Sequence, residues 1–296
     1  MAIRERTARA QRAAKPEKRG EKRKLLSSGD LLLVRKDMAE LWARRGLRAL
    51  LMLLPVTLVV LVPIVYFSAI SLLPAAPGAQ VPQRILSLLP PGTAGMEYRL
   101  AWQAAFQELL CPLLFLCVPI LTAAASASCA FVTERETGTF ETLLLTSLDV
   151  KAVFNAKVTG CTILSVLISG ASFLLFGITL MIAGLFTGAP LLLNLDWLVL
   201  VLLLAPVLSL FSVVFVGLIL NRVHSTAESL QTMGYLILPV VVLYLVQLTG
   251  ALRLNALVLA VVALGLAIAD VVLFNAASRG FTPERLLREE GDGSSN

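Results

Sequence analysis

Residues able to do covalent or acid–base chemistry are few in this chain and stand apart from one another. His224 is the single histidine, which excludes a His-Glu-x-x-His zinc protease and other His-rich metal sites. Cys111, Cys117, Cys129 and Cys161 follow one another at separations of 6, 12 and 32 residues. No Cys-x-x-Cys pair occurs, so neither a zinc knuckle nor a disulfide framework is indicated, and the thiols read as small buried side chains. Asp270 is the one carboxylate inside an apolar run of membrane length, whereas an aspartyl mechanism takes two. It lies about six residues, roughly 9 Å, inside the end of its run, within reach of water at the membrane surface. Nor is there a Gly-x-x-x-x-Gly-Lys-Ser/Thr phosphate loop, so ATP is not bound here by that device. The expectation is a non-catalytic chain without a cofactor of its own.

Recognition is better served. Residues 134–148 read ERETGTFETLLLTSL, a short amphipathic helix by periodicity. Phe140, Leu143 and Leu144 share one face at i, i+3 and i+4, and Glu134 and Glu141 lie seven apart on a neighbouring stripe, with Glu136 nearby. Gly138 interrupts the pattern, which suits a bend where a helix leaves the bilayer and turns along it. Two readings follow from amphipathicity alone. One is an interfacial helix that anchors its loop; the other is an apolar ridge flanked by carboxylates that fits the groove of a soluble partner.

The elements that hold this segment are set by composition. Of 296 residues, 57% are apolar and 15% charged, and the mean hydropathy is +0.84. Soluble domains carry about 25% charge to wet their surface; this chain faces lipid instead. Crossing a hydrocarbon core of roughly 30 Å takes about 20 apolar residues. Runs of that order occur at 49–73, 109–132, 158–195, 197–221, 229–252 and 254–276. The third is too long for one crossing and is expected to end near Phe186, ahead of a Gly188-Ala189-Pro190 turn. Six transmembrane helices result, in an all-α integral membrane protein. With the N-terminus inside, cytoplasmic segments collect 22 of the 25 Lys and Arg, leaving only Arg84, Arg99 and Arg253 outside. The positive-inside rule therefore puts both termini in the cytoplasm.

The domain order is then a basic tail over 1–28, an amphipathic interfacial helix over 29–48, a six-span unit over 49–278 and a cytoplasmic tail over 279–296. The first tail carries ten Lys or Arg against three acids. It lacks the interleaved aromatics that stack on bases, so its expected partner is the lipid bilayer with its anionic head groups and not nucleic acid. The outer segment 74–108 has room for a short helix around Arg84–Leu89.

The run Glu134-Arg135-Glu136-x-Gly138-Thr139-x-Glu141-x-Leu143-Leu144, followed by Lys157, resembles the signature of the permeases of type-2 ABC exporters, sodium-exporter permeases among them. Lys36-Asp37-x-x-Glu40-Leu41-x-x-Arg44-Arg45, with Pro55 beyond, is similar to the family's interfacial helix and first span. Ser225-Thr226-Ala227-Glu228, with Leu230 and Pro239, is similar to the start of its fifth span. The likeness runs from about Leu31 to Leu243 in the same order. Ser147 stands where the family often has Pro, Asp37 where it has Glu, and the outer segment after the first span is shorter than in sodium-exporter-like members.

The resemblance implies an ATP-driven exporter in the cell's inner (plasma) membrane. It implies that residues about 134–148 are the coupling helix, contacting a separate ABC ATPase present in two copies, which holds ATP and Mg. A second permease chain, identical or homologous, would complete the cargo pathway. Glu134, Glu136 and Glu141 would make polar contacts there, Phe140, Leu143 and Leu144 would pack, and Gly138 would permit the turn. Lys36, Glu40, Arg44 and Arg45 would belong to the interfacial helix. The alternative is an ATP-independent multi-pass protein, either a secondary transporter or a scaffold recruiting a cytoplasmic partner. A secondary transporter places ionisable groups near the bilayer midplane, where these runs have none.

Overall fold

A computed structural model of the chain describes residues 28–72, 81–89, 95–132, 150–188, 193–219, 231, 234–249 and 255–280. Among these there is no strand, and the protein is an all-α membrane protein. Helix α1 (Ser28–Ala43) precedes α2 (Arg45–Leu72), the short α3 (Gln83–Leu86) and α4 (Tyr98–Phe131). Then come α5 (Val150–Thr187), α6 (Leu195–Ile219), α7 (Gly234–Leu248) and α8 (Ala256–Gly280). Five of these (α2, α4, α5, α6 and α8) are long and apolar enough to cross a membrane. The sixth expected span, α7, has 15 helical residues, about 22 Å of rise, so a crossing there draws on the flanking residues outside the described set.

Three boundaries differ from expectation, and α5 begins at Val150, eight residues before its apolar run. The second apolar run was bounded at 109 by Glu108, yet α4 begins eleven residues earlier, at Tyr98. Its first turns bury Ala101, Gln103, Ala104 and Ala105, so packing against neighbours carries the helix through a carboxylate. The interfacial helix, expected over 29–48, ends at Ala43. Arg44 takes an extended conformation (φ −69°, ψ 108°) and Arg45 already starts α2. The turn after the third run falls where glycine marks it. Gly188 has φ +72°, a left-handed conformation that costs glycine little and ends helices readily.

The core is built round α4. In its most apolar stretch 67% of residues are buried, against 17% in α8, and α4 lies against α2, α5, α6 and α7. Ala123, Ala124, Ala125, Ser126 and Ala127 are at most 2% exposed. Small side chains of this kind let helix backbones approach closely, which is what binds helices together in lipid, where apolar burial gives no net drive. Hydroxyls add a polar tie at the same level. Thr122 and Ser165 oxygens stand 2.8 Å apart, and Ser165 and Ser209 3.0 Å apart. Ser165 Oγ also donates to the Pro119 carbonyl at 3.0 Å, so α4, α5 and α6 meet at one serine. Interhelical hydrogen bonds in membranes are worth about 0.6 kcal/mol on average. Ser165→Ala is therefore expected to lower stability by about 0.6 kcal/mol, and Ser165→Leu, by overpacking, by about 1–3 kcal/mol. Thermal unfolding in detergent measures both, with the order of the two as the check.

Prolines shape the spans in a specific way. In α2, α4 and α6 a five-residue π-helical turn (57–61, 106–110 and 200–204) ends two residues before Pro63, Pro112 and Pro206. The N–H just ahead of each proline reaches back five residues: Val62 to Thr57, Cys111 to Phe106 and Ala205 to Leu200. Proline brings no N–H and its ring crowds the carbonyl four residues back, so the helix widens by a residue instead of breaking.

Side-chain contacts sort the helix ends. At one end Phe154 of α5 lies between Phe131 of α4 and Phe274 of α8, with ring centroids 5.7 and 6.0 Å away, and α1 packs alongside. At the other, Tyr66 of α2 stacks on Phe106 of α4 at 3.9 Å, while Trp197 of α6 packs on Phe176 of α5 at 5.0 Å. Neighbouring spans therefore run antiparallel, and α1, with its exposed Arg35, Lys36 and Arg45, lies at the end marked by Phe131, Phe154 and Phe274.

Candidate functional site

At the α1 end, Val34, Met38 and Leu41 recur at i, i+4 and i+7. Val34 and Leu41 are buried and Met38 half-buried, while Lys36 and Glu40 are exposed. An apolar stripe of this spacing holds a helix against a neighbour and leaves its other face to solvent. The neighbour is α5, where Gly160 leaves room for Met38 Cγ and the Val34 carbonyl, each 3.8 Å from where a Cβ would sit. Arg44 meets Glu40 at 3.4 Å with both side chains substantially exposed. Such a surface pair contributes little to stability. Arg45 is exposed as well.

The expected coupling residues Glu134, Glu136, Gly138, Phe140, Glu141, Leu143 and Leu144 lie outside the described residues. Their two flanks are described. The chain leaves α4 at Val132 and returns at Val150 of α5, and α1 contacts the last turn of α4 and the side of α5 at Gly160. Lys157, buried on α5, donates from Nζ to the Ala130 carbonyl at 3.3 Å. A buried ammonium carries a large desolvation cost unless hydrogen-bonded, so this contact holds the end of α4 to α5. His224, with the rest of 220–230, also lies outside the described residues.

The opposite end holds a constellation that the run boundaries concealed. Glu108 of α4, Asp196 of α6, and Tyr244 and Gln247 of α7 line one cavity. Its apolar wall includes Trp197, Leu200 and Val240. Glu108 Oε1 accepts from Asn194 Nδ2 at 3.2 Å. Asp196 Oδ1 accepts from the backbone N–H of Ala256, the first residue of α8, an orphan donor that a carboxylate at a helix N-terminus satisfies well. Gln247 is 8% exposed and its Oε1 has no hydrogen-bond partner. The sequence signal was present: each of these polar residues interrupts or bounds an apolar run at the same end of the bundle. Reading runs singly treated them as edges and left Asp270 as the only intramembrane carboxylate. Glu108 lies within α4 and not at its edge.

Asp270 itself faces inward. It is 1% exposed, and neither carboxylate oxygen has a hydrogen-bond partner, where the expectation was a group washed by interfacial water. Among the described residues no group of three or more His, Cys, Asp or Glu is placed to hold a metal ion. A scan against protein-family models, a search of curated proteins and a search of solved structures each find no match to this chain.

Proposed function

We propose that this multi-pass membrane protein is the permease subunit of an ATP-driven exporter, energised by a separate ATPase docked beneath residues 134–148. The observation that supports the reading most is how the flanks of that segment are tied. Because α1 touches the last turn of α4 and the side of α5, and Lys157 bonds one to the other, a push on the segment reaches both helices together. Helix α4 is also the most buried of the five long spans, so its displacement is felt by α2, α5, α6 and α7. Coupling of this kind works only if the docked ATPase contacts the segment differently in its open and closed states.

Two permease copies with cargo moving between them, and two ATPase chains carrying ATP and Mg, complete the proposed assembly. Broad apolar faces on α2 and α5, with Leu53, Val65, Leu185 and Phe186 exposed, are covered by lipid or by the second copy. In this reading Glu134, Glu136 and Glu141 make the polar contacts with the ATPase, and Phe140, Leu143 and Leu144 pack.

Affinity purification from the native membrane, followed by protein identification and an ATPase assay, tests the proposal. The wild-type chain is expected to bring down a nucleotide-binding subunit. Glu141→Arg is expected to reduce co-purification or cargo-stimulated ATP hydrolysis at least tenfold, about 1.4 kcal/mol of lost coupling, with membrane insertion unchanged. Recovery of the intact chain without any ATPase would overturn the assignment. A second reading, an ATP-independent transporter, draws support from the carboxylates of Glu108 and Asp196 beside one cavity. It expects cargo movement that survives ATP depletion.

A further inference from the structure

We propose that the outer end of the bundle is a divalent-cation site in which Glu108, Asp196 and Gln247 clamp α4, α6 and α7 together. The proposal is independent of the exporter reading.

Three observations converge on one cavity. Two carboxylates from different helices line it, and their charges repel in surroundings walled by Trp197, Leu200 and Val240. Gln247, on a third helix, is more than nine-tenths buried, with a carbonyl oxygen that no donor satisfies. Leaving a buried polar atom without a partner is costly, because its hydration is lost and nothing replaces it. The amide oxygen and the carboxylates share one need, a positive charge that accepts oxygen ligands. Part of each carboxylate is already engaged, Glu108 Oε1 by Asn194 and Asp196 Oδ1 by the Ala256 N–H. Those contacts orient the groups and leave a second oxygen on each for a ligand, as supporting hydrogen bonds do around metal sites.

Size and charge choose the ligand. The cavity is about 30 Å³, enough for an ion or one or two waters and far below the 300 Å³ or more of a drug-sized pocket. Two carboxylates are neutralised by one divalent ion. The donors offered are all oxygen, which suits Ca²⁺ or Mg²⁺ over Zn²⁺ or copper. Ca²⁺ takes six to eight oxygen ligands and Mg²⁺ retains several waters, so water completes either shell at the mouth of the cavity. Among the described lining residues there is no Lys or Arg. Arg253, in the connection between α7 and α8, lies outside the described residues, and the experiment separates its charge from that of a bound ion.

The consequence is mechanical. A bound ion ties α7, the shortest of the apolar helices, to α4 and α6, and through the Asp196–Ala256 bond it also fixes the start of α8.

The full-length chain, purified in detergent and stripped with EDTA, provides the test. Its thermal unfolding is followed with Ca²⁺, Mg²⁺ or Na⁺ at equal ionic strength, and Tb³⁺ emission excited through Trp197 reports occupancy directly. Wild type is expected to gain several degrees in millimolar Ca²⁺ or Mg²⁺ and to sensitise Tb³⁺. Glu108→Gln and Asp196→Asn should each weaken binding at least tenfold by both readouts, with Gln247→Leu weakening it less. The proposal fails if divalent ions leave wild type unshifted, or if Na⁺ gives the same shift. It also fails if Glu108→Gln and Asp196→Asn bind Tb³⁺ as wild type does, or if Arg253→Gln creates a cation response that wild type lacks.

Discussion

Replacing Phe154 by alanine is expected to lower the stability of the folded chain by about 2–3 kcal/mol, more than any other single truncation discussed here. Phe154 is 1% exposed and sits between Phe131 and Phe274. Its ring also presses on Gly217 of α6, where an added Cβ would come within 3.3 Å of Phe154 Cε2. One side chain thereby joins α4, α5, α6 and α8. In a soluble core Phe→Ala costs about 3–5 kcal/mol, including transfer of the ring to water. For a helix already in lipid that transfer contributes little, because acyl chains are as apolar as the core. What remains is the empty volume, roughly 100 Å³ at about 24 cal/mol per Å³, or about 2.4 kcal/mol. Phe154→Leu, which refills part of the space, should recover more than half the loss. Equal melting temperatures for wild type and Phe154→Ala in detergent would show that the aromatic column does not hold the helices.

Asp270→Leu should move stability in the opposite direction, raising it by about 1–3 kcal/mol. A carboxylate buried without a partner is destabilising whichever protonation state it adopts, since the charged form is desolvated and the neutral form leaves polar atoms unmet. Leucine has the same branched shape and leaves nothing unsatisfied, though its larger methyl groups offset part of the gain. Asp270→Asn keeps an unpaired polar group and should gain less. The measurement is thermal unfolding of all three forms, paired with a transport or ATPase assay. A more stable yet inactive Asp270→Leu protein would identify the aspartate as retained for work, in keeping with the usual function of carboxylates inside membranes. A loss of stability would refute the account.

The contrast between these two residues shows what could be read in advance. Apolar run length located the long spans within a few residues at most ends, because the hydrocarbon thickness imposes it. Gly188 marked the end of α5 because only a residue without a Cβ takes its backbone angles cheaply. Which polar residues face one another was not legible. Glu108, Asp196 and Gln247 are separated by 88 and 51 positions, and no periodicity within one helix relates them. Asp270 was judged by depth alone, whereas its environment depends on which way its helix is turned. The coupling segment rests on a resemblance in residue pattern, and the geometry described around it concerns its flanks.

The π turn in α2 does more than absorb a proline. The buried residues of that helix are Leu47, Leu51, Pro55, Val59, Pro63 and Phe67, a repeat of four sustained over six positions. At 3.6 residues per turn each step of four overshoots a full turn by about 40°, so five steps would carry the stripe about 200° round, to the far side of the helix. The residue taken up between Thr57 and Leu61 delays the winding by about 100° and returns Val59, Pro63 and Phe67 towards the side that Leu47 and Leu51 established. The turn acts as a phase correction: it halves the drift of a four-residue repeat, and so keeps the buried side of the helix turned to α4 and α5 along its whole length.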